Sequence, residues 1–138
     1  MRTTLIVPLA LAAVLAAGCG SGGPMTDAQA KTEARSIETS SHLQADAKQL
    51  ETDASNGNFG AVRNDARKMA ADAKSASAAV RAQHWPANWH ARTAKLEGTL
   101  GELGQCMDAF STASGLAEMQ AASQGKACHA LSALSGSP

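Results

Sequence analysis

The sequence predicts an all-α fold, a small up-and-down antiparallel four-helix bundle that follows an export signal and a flexible tether. Three observations predict it. Apolar residues recur at spacings of three and four, no segment alternates with the strand period of two, and Gly/Ser/Pro clusters cut the chain into helix-length pieces. At 138 residues one domain is the natural size. Alanine supplies 31 residues and aromatics only four, so each apolar position buries little surface and no large aromatic-walled pocket is expected. The formal net charge is zero, which removes the positive footprint that phosphate backbones require, and no nucleic-acid partner is expected.

The amino terminus carries an address. Met1 and Arg2 give a positive start, residues 5–17 form an apolar run of 13, and Ala16, Ala17 and Gly18 supply small residues for cleavage. A run of that length falls short of the ~20 residues that a membrane-spanning helix needs, so it reads as a cleaved signal. The residues Leu15-Ala16-Ala17-Gly18-Cys19 resemble the lipobox of bacterial lipoproteins, with Ala16 where that family usually has leucine and Leu15 one place earlier. The resemblance, which covers the first 24 residues, implies a signal peptide over 1–18 and a lipid anchor at Cys19; a flexible linker then runs over 19–25, and the helical patterning that follows places a bundle domain over 26–138. The resemblance also implies a diacylglyceryl thioether on Cys19 and a third chain, of the palmitate class, on the new amino group. Two or more chains hold a protein stably on a membrane without spanning it. The expected location is the cell membrane or outer membrane, facing periplasm or exterior. The alternative is an ordinary secretory signal in which Cys19 is incidental.

Beyond the Gly-Ser-Gly-Gly-Pro tether at 20–24, Thr26-Asp27-Ala28-Gln29 fits a capping box and opens the first helix. Asp27 suits the positive helix start and sits four residues before Lys31. The stripe Ala30, Ala34, Ile37, Leu43, Ala47, Leu50 and Ala54, interrupted by Ser40 and Ser41, runs in one expected helix to Ser55-Asn56-Gly57-Asn58, where Gly57 supplies a left-handed cap. Val62, Ala66, Met69, Ala73, Ala76 and Val80 give the second helix one clean face, ending near His84 because Trp85 precedes Pro86. Asn88 is the predicted cap of a third helix with the stripe Trp89, Thr93, Leu96, Leu100, Leu103, Met107 and Phe110. After a break at 111–115, a last helix carries Leu116, Met119, Ala127, Leu131 and Leu134. Residues 26–55 hold three basic and six acidic groups and residues 59–92 six and two, so the first two helices attract weakly.

In an exported chain Cys106 and Cys128 form an even pair and favour a disulfide. A turn centred on Ser114 would set Cys106 opposite residue 122, so the bridge requires the turn to shift toward residue 117, with the last helix starting after Leu116. The two cysteines as buried thiols are the alternative. Gly125-Lys126-Ala127-Cys128-His129 resembles the haem-attachment segment of the cytochrome c-prime family, with Gly125 where that family has its first cysteine. That resemblance would make His129 an axial ligand and Cys128 a single thioether.

His84, Trp85, Trp89 and His90 cluster at one turn, either as a small-ligand or metal site or as tryptophans capping the bundle end beside solvated histidines. No acidic or cysteine side chain in that turn completes a metal set, and neither metal nor cofactor is expected. His42 is expected on the surface. Gly98, Gly101 and Gly104 form a row suited to close helix approach, within the bundle or from a partner. No nucleophile elbow, phosphate-cradling loop or paired zinc histidines occur. The expected role is a non-enzymatic envelope interaction module with a protein partner. The alternative is a bundle that binds haem or another small ligand through His129 or the Trp85 and Trp89 end.

Overall fold

The computed structural model describes residues 23–135, with side chains to residue 130; the signal, Cys19, Leu131 and Leu134 lie outside this description. The fold is an all-α helical bundle, without strands among the described residues. In order come α1 (Asp27–Ser40), α2 (Leu43–Ser55), α3 (Phe59–Ala82), a 3-10 turn (Ala87–Trp89), α4 (His90–Thr112), α5 (Leu116–Ser123) and α6 (Lys126–Ser135). The expected first and last helices are each broken in two.

The capping box at the start of α1 forms as predicted. Gln29 N–H donates to Thr26 Oγ1 at 3.3 Å and Thr26 N–H to Gln29 Oε1 at 2.8 Å. At the other end Thr39, Ser40 and Ser41 turn their hydroxyls back onto the carbonyls of Arg35, Ile37 and Glu38. Such bonds compete with helix propagation, and His42 follows in the left-handed region at φ 56°. The break rotates the inward face of α2. Ala47 and Ala54, expected in the stripe, are exposed, while Asp46 takes an inward position at 4% exposure. Gly57, at φ 68°, ends α2 as expected, and the Asn58 side chain accepts from Ala61 N–H at 3.2 Å to start α3.

All six residues of the second stripe are buried on α3, and Val80 has no exposed surface. α3 and α4 form the central antiparallel pair, recorded by cross-links that run in opposite senses. Arg81 bonds Glu97 at 3.3 Å, Lys74 bonds Asp108 at 2.7 Å, and Arg63 reaches the Ala113 carbonyl at 3.4 Å. The predicted attraction between the first two helices therefore shrinks among the described residues to one ion pair, Asp46 with Lys68, while other α3 cations turn to α4. Of the glycine row, Gly104 faces α3, where a Cβ would lie 3.7 Å from Lys74 Cγ. Gly98 and Gly101 face open space and serve no approach within the bundle.

Cys106 and Cys128 are joined by a disulfide with their Cα atoms 5.0 Å apart. The turn does not shift toward residue 117; instead the last helix breaks at Gln124-Gly125, and the second piece returns Cys128 to α4. Gly125 suits that tight turn. A Cβ on it would stand 3.0 Å from the Ala122 carbonyl, whose oxygen accepts the Gly125 N–H at 2.9 Å. The α5 turn is held by Ser114 N–H donating to Glu118 at 2.6 Å, which also lowers the Glu118 carboxyl below its usual range.

Candidate functional site

The Trp85 and Trp89 end is tied together by its own hydrogen bonds. Pro86 keeps Trp85 out of the helix, and the Trp85 indole, 7% exposed, donates to the Val80 carbonyl at 2.6 Å, which at the end of α3 otherwise accepts only the long Gln83 N–H bond at 3.4 Å. Trp89 stacks on it with ring centroids 5.8 Å apart, and Arg92 lies 5.8 Å over the Trp89 ring. Trp89 Nε1 then donates to Asp27 Oδ1 at 2.7 Å, and Asn88 to the same oxygen at 3.3 Å. Asn88 is therefore a strut between α1 and the turn, not the cap of α4, whose start has no side-chain cap.

Both histidines of this turn are exposed. His90 Nε2 sits 3.0 Å from the Trp85 carbonyl; a carbonyl only accepts, so the proton is on Nε2 and that nitrogen is committed. His84 uses its backbone carbonyl to accept Met25 N–H at 3.0 Å. Both rings border a polar hollow of 400 Å³ with Arg81 and Glu97, which pair with each other. Among the described residues no group of three or more His, Cys, Asp or Glu is placed to hold a metal ion.

At the other end His129 is exposed on α6, and Cys128 is bound to Cys106. Thioether attachment of a haem would need Cys128 as a thiol, and Gly125, in the place of the family's first cysteine, is shaped by the α5–α6 turn. The residues therefore do not fit covalent haem attachment in this state.

A cleft of 460 Å³ opens elsewhere, where sequence patterning gave no signal. Its walls are Ala34 and Ile37 of α1, Leu43 of α2, and Leu96 and Leu100 of α4, with Ala76 of α3 as its floor. The break at Ser41-His42 creates it by angling α2 away from α1. It stays open because α5 and α6 are short and cover α4 only around Cys106 and beyond. Leu96 is consequently 41% exposed although it lies on the predicted apolar stripe. Trp89 closes one end, the single residue shared with the predicted cluster.

No protein-family model matches the chain, and neither a curated protein nor a solved structure is similar to it. The residues must speak for the site.

Polar groups at the rim of the cleft are mostly committed. Lys31 Nζ pairs with Asp27 at 3.0 Å, and Glu38 accepts from Gln44 at 3.3 Å. The Arg35 guanidinium has no hydrogen bond, ion pair or ring contact among the described residues.

The α2–α3 seam holds a second feature that composition did not reveal. Asp46 pairs with Lys68, yet Asp46 Oδ2, Asp65 Oδ2 and Asp72 Oδ2 are buried without a donor. The neighbouring Asp46 carboxyl, then burial, raises the Asp72 carboxyl above its usual range. Burial and then Asp53 raise Asp65 in the same way. Burial pushes Asp46 up too, but Lys68 and Asp72 outweigh it and hold Asp46 below its usual range.

Proposed function

We propose that this chain is an exported envelope protein, held to a membrane by lipid on Cys19, whose helical domain is a non-enzymatic binding module. The anchor reading is supported by the charged start, the short apolar run and the Leu15–Cys19 pattern. Among the described residues no helix is long and apolar enough to cross a membrane, so attachment would fall to the amino terminus. One observation carries the binding reading: Leu96, 41% exposed, stands on the wall of a 460 Å³ cleft whose other apolar residues belong to the core faces of α1 to α4. Exposed apolar surface in a concavity of this size has no stabilising use in the folded domain and favours a ligand or partner.

The anchor is tested by intact-mass measurement on membrane-extracted protein. Acylation is expected in the natural chain and its loss in Cys19→Ala, with precursor accumulating under globomycin. An unmodified soluble protein, or processing indifferent to globomycin, overturns it. The binding module is tested by a benzophenone side chain placed at Leu96 in intact cells and activated with light. An adduct of defined mass at residue 96, absent when the same group replaces Leu116 on α5, is expected. No adduct at residue 96 overturns the reading.

A further inference from the structure

We propose that the cleft between α1–α2 and α4 binds a long-chain carboxylate, its apolar chain along Ile37, Leu43, Leu96 and Leu100 and its head group on Arg35. This deepens the binding reading of the same cleft and does not depend on the anchor.

Size argues for a small ligand over a partner helix. One helical turn, ~10 Å across and 5.4 Å long, encloses roughly 420 Å³, so the cleft takes about one turn. A helix docking through residues i, i+3, i+4 and i+7 needs two turns. At the ~30 Å³ that a water molecule occupies in the liquid, 460 Å³ holds roughly fifteen groups of that size, which suits one alkyl chain. It also falls within the ~300–1,000 Å³ span of ordinary ligand sites.

Charge supplies the head group. Lys31 and Glu38 are already engaged with Asp27 and Gln44, which leaves Arg35 as the rim charge without a partner. A guanidinium presents two parallel N–H donors matched to the two oxygens of a carboxylate. A single uncommitted cation at the mouth of an apolar slot suits a monoanionic amphiphile better than a dianion. Arg35 also lies on α1 one turn before the break, so the head would sit at the rim while the chain runs inward toward Ala76.

Equilibrium dialysis of radiolabelled palmitate against the detergent-free exported chain, and against Cys19→Ala, tests the inference. One saturable equivalent is expected in both, so failed acylation leaves this result readable. Leu96→Glu, at a position exposed enough to tolerate charge, is expected to weaken palmitate binding at least about tenfold, and Leu116→Glu to leave it unchanged. Arg35→Gln is expected to weaken palmitate about tenfold while leaving hexadecanol as it is in the natural chain. Absence of saturable binding to chain shown helical by circular dichroism overturns the proposal, as does binding indifferent to Leu96→Glu. Equal loss of acid and alcohol in Arg35→Gln overturns the head-group assignment, and a protein adduct at residue 96 in cells overturns the choice of a small ligand.

Discussion

The indole N–H of Trp89 donates to Asp27 Oδ1 at 2.7 Å across 62 positions of sequence, fastening the first turn of α1 to the entry of α4. The Trp89 bond, then Lys31 and Asn88, lower the Asp27 carboxyl to about 2. The folded value lies below the ordinary one, so the stabilisation is complete above pH ~4 and is lost as pH falls toward 2. Acid titration followed by Trp89 emission in a Trp85→Phe background is expected to show the indole released near pH 2. In Asp27→Asn, which keeps an acceptor oxygen but cannot titrate, that inflection should vanish. An unchanged inflection would mean that another group controls the contact.

The Cys106–Cys128 bridge spans 22 residues, and closing a loop of that size stabilises a domain by about 3 kcal/mol in the chain-entropy picture. Ser replacements at both positions are expected to lower stability by that order in urea unfolding. Because α5 and α6 are short and meet mainly α4, amide exchange there should accelerate more than in α3. Thiol counting in denaturant on freshly prepared protein is expected to find neither sulfur free; two free thiols would remove the bridge from the account.

Legibility followed the strength of local signals. The stripe from Val62 to Val80 keeps one apolar face along the 24-residue α3, and the structure buries all six predicted positions. The Thr26 box and Gly57 were readable because caps are local chemistry. The break at His42 was not, since each of Thr39, Ser40 and Ser41 tolerates a helix alone and they end it together through back-bonds. With that break missed, the outward turn of Ala47, the burial of Asp46 and the cleft were all beyond reach, because each follows from where α2 points. Trp89 was named for its place in a histidine cluster, and it also borders the cleft, which neither His84 nor His90 lines.

Glycine stands in this chain where it is not needed and is missing where it is favoured. His42 holds φ 56° without a side-chain cap bond, a conformation that costs an L-residue about 1 kcal/mol. His42→Gly is therefore expected to raise stability by up to that amount and His42→Val to lower it. Gly98 and Gly101 lie inside α4, where a Cβ would meet nothing within 4 Å. Alanine at either is expected to add about 0.5–1 kcal/mol from helix propensity alone. Thermal midpoints decide both, and a loss on Gly98→Ala would show that this face contacts something not yet accounted for.

The α2–α3 seam sets three carboxyls, Asp46, Asp65 and Asp72, around the Lys68 ammonium, whose own affinity for its proton is raised first by Asp46, and Asp53 stands against Asp65. Asp72 and Asp65 bind protons more tightly folded than unfolded. Their contribution is therefore present below the unfolded value of 3.8 and is lost as pH rises through the folded values, opposite in sign to that of Asp46, whose lowered value contributes above 3.8. An amide at position 72 would supply permanently the hydrogen that Asp46 Oδ2 lacks. Asp72→Asn is accordingly expected to stabilise the protein at pH 7 by about 1 kcal/mol, the scale of satisfying one buried acceptor, and to give little at pH 3.5, where the natural carboxyl already carries its proton. Urea midpoints at the two pH values measure it. An equal gain at both would assign the effect to packing, and a loss at pH 7 would mean that the ionised pair is accommodated by water.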